Sequence, residues 1–232
     1  MSVSNSDSVS SASQRRKSVL FLTQFSILVA IQALFCFVPI LGSIPIPFTP
    51  MVATTAMIPV IMTAIFLGTA AGTIMGAIAG MFSLVIWTFI TPASPLAFLY
   101  NPMVTTSALT TFFALFNNIV PRVLIGVFAG CFFNSLKRAI NGKRVAEIIV
   151  YAVTGIIGSL TNTVITIAVW YLVFADEIVA QLGIARDVLF DGVVVVTFVG
   201  NGIPELALSA FIAAAVCLPL RKILLKQKMI TE

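Results

Sequence analysis

Two ionisable side chains, Arg122 and Glu205, stand inside long apolar runs of this chain. A charge in lipid is costly, and such residues face a partner or a water-filled cavity. The chemistry this pair offers is recognition of a polar solute. Nucleophilic catalysis of the Ser–His or Cys–His kind and HExxH zinc sites are excluded, because the chain has no histidine. Cys36, Cys131 and Cys217 each sit among apolar neighbours, at spacings that suit neither a disulfide framework nor a zinc site. A GxxxxGK[ST] phosphate loop is absent too, so no cofactor or metal is expected and ATP is not hydrolysed by that machinery.

Sequence distance converts to depth in a helix. Lys17 to Gln32 is 15 residues, Lys137 back to Arg122 is 15, Glu147 to Asn162 is 15, and Arg221 back to Glu205 is 16. At ~1.5 Å per residue, four helices bring a polar group to a depth of roughly 22–24 Å, in the outer part of a ~30 Å core. One reading makes Arg122 and Glu205 a structural ion pair, or lets Arg122 snorkel to the interface. The other is a pocket open to the outer side under the uncharged stretch 91–118. There Arg122, beside Pro121 at an expected helix start, would meet an anion where free N–H groups and the dipole favour one. A carboxylate ligand follows, with Asn118, Asn162, Asn201 and Gln32 as neutral hydrogen-bonding groups. Trp87, Tyr100 and Trp170 fall near the outer interface, as belt aromatics or as stacking partners of the ligand.

The elements that must position these groups are membrane helices. Of 232 residues 59% are hydrophobic and 9% charged, the mean hydropathy is +1.12, and no charge occurs from Ser18 to Pro121. Soluble domains carry about 25% charged residues, whereas a span needs only ~20 apolar ones. The fold class is all-α: a polytopic membrane protein, a compact bundle of six transmembrane helices. Expected spans are 18–38, 51–67, 70–90, 121–136, 147–174 and 203–220, with a tight turn near Gly68 and Pro121 at the first position of its helix. Residues 1–17 form a disordered cytoplasmic tail, 18–225 the membrane domain with outer loops 91–118 and 175–200, and 226–232 a second cytoplasmic tail. Eleven of the thirteen basic residues then lie on one side, while Asp176, Glu177, Asp187 and Asp191 accompany Arg186 on the other. Both termini are therefore cytoplasmic, and the basic excess signals topology, with no nucleic-acid partner. Gly68, Gly72, Gly76 and Gly80 make a smooth helix face, read as packing within the bundle.

Three segments carry a resemblance: Asn118-Ile-Val-Pro-Arg122-Val-Leu-Ile-Gly126, Gly158-Ser-Leu-Thr-Asn162-Thr163 and Asn201-Gly-Ile-Pro-Glu205. With six short helices and a compact size, the chain resembles the substrate-specific S component of energy-coupling factor (ECF) transporters, in its pantothenate- and folate-type branch, from about Leu20 to Leu225. That resemblance implies a vitamin-binding subunit in the plasma membrane of a prokaryote, not an enzyme. Its partners would be a transmembrane coupling protein and two cytoplasmic ATPases. It places ligand binding on spans four to six and the outer loops, and a coupling surface at Ser26 and Ala30, where the family has an AxxxA pattern. Pantothenate, with one carboxylate, hydroxyls and an amide, is the first choice; folate and other small vitamins are alternatives. A membrane enzyme or assembly factor is the reading of another class.

Overall fold

The computed structural model describes residues 4–45, 52–90, 97–137 and 144–226. The chain folds as a helical bundle, and among the described residues five helices are long and apolar enough to cross a membrane. Helix α1 (Ser4–Phe37) begins well before the expected span, inside the segment expected to be disordered. A helix started by the apolar segment propagates outward at one hydrogen bond per residue fixed. A single turn, α2 (Pro39–Gly42), then leads into strand β1 (Ser43–Pro45), which pairs antiparallel with β2 (Val52–Thr54) in the register Ser43↔Thr54.

The second expected span, 51–67, is corrected by this hairpin. Its first residues are strand, and α3 covers only Ile58–Leu67, with Pro59 in its first turn. Ten residues rise ~15 Å, half the hydrocarbon thickness. Gly68 makes the expected turn, at φ +93°, and opens α4 (Thr69–Val85), which continues as a π-helical turn, Ile86–Ile90.

Two further expectations change. Helix α5 runs from Ala108 to Leu136, thirteen residues earlier than expected, so half-way along it lies Pro121. Its real start is a reciprocal capping pair: Ser107 accepts from the Thr110 N–H, and Thr110 accepts in return from the Ser107 N–H. Helix α6 (Arg144–Val173) agrees with expectation. The outer loop 175–200 is mostly helical instead: α7 (Ala175–Leu182) ends at the left-handed Gly183, and helical structure resumes at Arg186. From there π-helical turns at Phe190–Val195 and Phe198–Gly202 join α8 (Ile203–Ile212), a third π turn and α9 (Leu218–Lys226) into one apolar helical run. The acidic residues that marked a loop end at Asp191, and Val193–Val196 beyond them is apolar.

Helices α4 and α5 pack backbone to backbone through the glycine face. A Cβ on Gly76 would lie 2.2 Å from the Arg122 carbonyl oxygen, one on Gly80 2.7 Å from Ile119 Cα, and one on Gly126 2.2 Å from the Gly72 carbonyl oxygen. No side chain larger than hydrogen fits at these points. Gly72, Gly76 and Gly80 face the bundle, as the sequence implied, and fix the backbone that carries Arg122, whereas Gly68 belongs to the turn and has open space beside it.

The two ends of the bundle differ in chemistry. At one end Glu147 pairs with Lys222, and the Arg221 guanidinium lies 5.1 Å above the Phe133 ring, tying α5, α6 and α9 together. At the other, Arg186 pairs with Asp176 in high solvent exposure, a contact of little energetic weight.

Candidate functional site

Beside the apolar cluster around Met57, Ile125 and Phe133 lies a cavity of about 260 Å³, which Met57 helps to line. Its wall includes Cys36, Thr54, Met57, Ser83, Trp87, Arg122 and Asn162, drawn from α1, the hairpin, the start of α3, α4 with its π turn, α5 and α6. Every helix that carries a counted polar residue, except the last, supplies part of that wall.

Arg122 is held by its own helix. Proline has no N–H, so Pro121 leaves the carbonyl of Asn117 without its helical partner. Arg122 Nη1 donates to that oxygen at 3.0 Å and to the Asn118 carbonyl at 2.8 Å. Both Nη1 hydrogens are thereby engaged. The Nε and Nη2 hydrogens make no bond among the described residues, on a side chain that lines the cavity. Arg122 is thus mid-helix, and the helix N-terminus at this cavity is that of α3, through Ala56 and Met57.

Glu205 is 6% exposed and does not pair with Arg122. Its Oε1 accepts from the Thr54 N–H at 2.9 Å and the Thr54 hydroxyl at 2.6 Å. The structural ion pair is therefore replaced by two separate arrangements: a carboxylate that holds β2, and a guanidinium that satisfies its own helix. Burial explains both, since a polar group out of water must take a hydrogen-bonding partner within reach.

Asn118 is fully engaged with protein. Its amide donates to the Tyr100 carbonyl at 2.6 Å and the Ala114 carbonyl at 2.9 Å, and its Oδ1 accepts from the Ser83 hydroxyl at 2.9 Å. The neighbouring Asn117 donates to the Leu99 carbonyl at 3.2 Å. The two amides thus clamp residues 99–100 onto α5. That clamp sets Tyr100 in a stack with Trp87, ring centroids 4.8 Å apart, and edge-on to Trp170 at 6.2 Å. Burial pushes the Tyr100 phenol above its ordinary value, against the opposing effect of Arg122, so it stays neutral.

Of the residues singled out from sequence, Arg122, Asn162 and Trp87 line the cavity. Tyr100 touches it through Trp87, and Glu205 through Thr54. Gln32 is buried behind the wall, donating to the Ala56 carbonyl at 2.9 Å and to Cys36 Sγ at 3.1 Å. Asn201 sits in a π-helical turn outside the lining, and Ser26 and Ala30 are exposed one turn apart on α1. Sequence reasoning missed Thr54, Ser83 and Asn117. Thr54 had no local signal, because its role arises from a contact 151 residues away. Asn117 was overlooked beside Asn118, although two adjacent amides in an apolar helix are themselves a signal.

No family model matches the chain, and no curated protein matches it. Among solved structures, it is similar to the S-component for biotin from an ECF-type ABC transporter, with a TM-score of 0.54 and 18% identity over 89% of this chain and 93% of that one. The likeness is one of fold: a multi-pass, all-helical membrane bundle of the S-component kind, with the short hairpin as a local exception.

The Glu205–Thr54 contact generates a stability prediction. Glu205→Ala removes the acceptor of two part-buried hydrogen bonds from Thr54, a loss of about 1–2 kcal/mol. Glu205→Gln keeps an oxygen for Thr54 and should lose much less. Thermal midpoints of the detergent-purified proteins measure this; equal losses would assign the effect to charge instead of acceptance.

Proposed function

We propose that this chain is the vitamin-binding S component of an ECF-type importer, and that its ligand is a small vitamin carrying one carboxylate, pantothenate first. The observation that carries this reading is the Arg122 guanidinium in the cavity wall, with one nitrogen fixed by backbone and the Nε–Nη2 edge uncommitted. That edge has the fork geometry that matches a carboxylate with two parallel hydrogen bonds. The N-terminus of α3, at the same wall, adds a favourable dipole. Asn162, Thr54 and Ser83 supply hydrogen-bonding groups for hydroxyl or amide, and Trp87 supplies an apolar face. Asn201 and Gln32 belong to the surrounding shell, with Tyr100 and Asn118 holding Trp87 and Ser83 in place.

Size supports a compact ligand. The cavity of about 260 Å³ falls below the ~300–1,000 Å³ typical of sites for drug-sized molecules. Folate, with two carboxylates and a pterin, fits it less well than pantothenate. Biotin is the second reading, because it too carries a single carboxylate and the structural neighbour is an S-component for biotin. The partners on this reading are a transmembrane coupling protein and two cytoplasmic ATPases, with docking at the exposed Ser26 and Ala30 on α1. The end of the bundle with Lys137, Arg144, Lys222 and Lys226 is cytoplasmic, as are both termini, and the membrane is the plasma membrane of a prokaryote.

Equilibrium dialysis of purified protein against radiolabelled pantothenate and biotin tests the ligand. Saturable pantothenate binding is expected, with Arg122→Ala weakening it about a hundredfold or more, as when a buried charge loses its partner at about 3–5 kcal/mol. Arg122→Lys should rescue only part, since an ammonium lacks the planar fork. Saturable biotin binding without pantothenate binding selects the second reading, and full binding by Arg122→Ala removes the arginine from the site.

Docking has its own test. Ala30→Trp should leave vitamin binding by the isolated subunit intact and abolish ATP-driven uptake by the assembled complex, because a bulky side chain blocks close helix approach. Unchanged uptake would move the interface off this face of α1.

Orientation is read with single cysteines in a background lacking the native three. Arg144→Cys should react with an impermeant reagent only after the membrane is opened, and Ala185→Cys should react from outside. The reverse pattern would invert the bundle.

A further inference from the structure

We propose that Pro121 is a positioning residue for ligand recognition: by withholding an N–H from the Asn117 carbonyl, it makes that oxygen the anchor that aims the Arg122 guanidinium at the cavity. The inference rests on the reading of Arg122 as the carboxylate partner and adds what sets its direction.

A proline inside a helix costs one backbone bond and leaves one carbonyl unsatisfied, which inside a membrane must find another donor. Here the donor is the side chain of the next residue. Arg122 Nη1 lies 3.0 Å from the Asn117 oxygen and 2.8 Å from the Asn118 oxygen, so the guanidinium is folded back along its own helix. The backbone at 122 has no freedom to compensate, because Gly76 of α4 packs directly against the Arg122 carbonyl. Only the arginine torsions remain, and the two carbonyls fix them. What is left of the guanidinium, Nε and Nη2, is then presented at one angle. An alanine in place of the proline would give the Asn117 oxygen its helical N–H partner and loosen its hold on Nη1, leaving the Asn118 carbonyl as the one remaining anchor and the aim of the guanidinium less fixed. Proline acts here through the arginine and touches no ligand.

Such a role separates stability from affinity, which a purely structural proline would move together. Pro121→Ala should fold with a thermal midpoint no lower than that of the wild type. It should bind radiolabelled pantothenate, or biotin if that is the vitamin retained, about tenfold more weakly, the equivalent of one charged hydrogen bond lost to misorientation. Added to Arg122→Ala, Pro121→Ala should cause no further loss, since the group it aims is gone. A ligand-free crystal structure of Pro121→Ala should show the newly introduced backbone N–H on the Asn117 oxygen and Nη1 withdrawn from it. The inference is overturned by wild-type affinity in Pro121→Ala, by an additive loss in the double variant, by an unchanged Nη1 contact, or by loss of folded protein. If instead Arg122→Ala itself binds as the wild type does, the reading of the site fails. Loss of binding in Arg122→Ala with none in Pro121→Ala leaves that reading standing and removes only the proline's part.

Discussion

A membrane interior offers no water to satisfy a backbone carbonyl or amide, so each must find its partner within the protein. The organisation of this site follows from that constraint at three places where the helical ladder is broken. Pro121 frees a carbonyl and Arg122 returns a donor to it. The segment before α5 presents the carbonyls of Leu99 and Tyr100, and the Asn117 and Asn118 amides take them. The hairpin before α3 presents the Thr54 amide, and Glu205 accepts from it. The polar side chains that gave the sequence its functional look are, in the first instance, answers to broken backbone bonding. On the proposed function, recognition would use the capacity that those answers leave over.

The same logic explains what could be read in advance. Membrane class, the helices at 70–90 and 147–174 and the inward glycine face follow from local patterns: long uncharged runs, basic clusters, and small residues every fourth position. Depth counting rests on the near-invariance of helix rise. It placed Gln32, Arg122, Asn162 and Glu205 in one layer, and the cavity wall or its immediate support now includes all four. What stayed hidden depends on pairing across long separations. Val52–Thr54 carries no mark of its strand partner Ser43–Pro45, and nothing near Glu205 names Thr54. Pro121 misled for a different reason: a proline suits the first turn of a helix, and the neighbouring arginine that makes it tolerable mid-helix looked like a ligand anchor alone.

Close packing of α4 on α5 has a bearing on the site beyond stability. Gly76 and Gly80 bring the backbone of one helix against residues 118–123 of the other, the stretch that holds Asn118, Pro121 and Arg122. Side chains adjust their rotamers to small shifts, but two backbones in contact cannot. The wall formed by α4 and α5 is therefore the rigid part of the cavity. Elsewhere the wall is held by side-chain hydrogen bonds, two from Thr54 to Glu205 and one from Gln32 to Ala56.

The aromatic stack has an optical consequence. The chain contains two tryptophans, Trp87 and Trp170, and both rest on Tyr100, with Trp87 also in the cavity wall. All of its indole emission thus arises in the wall of the proposed binding space or two ring contacts from it. Without any label, the wavelength and intensity of that emission register the polarity and crowding of this one region.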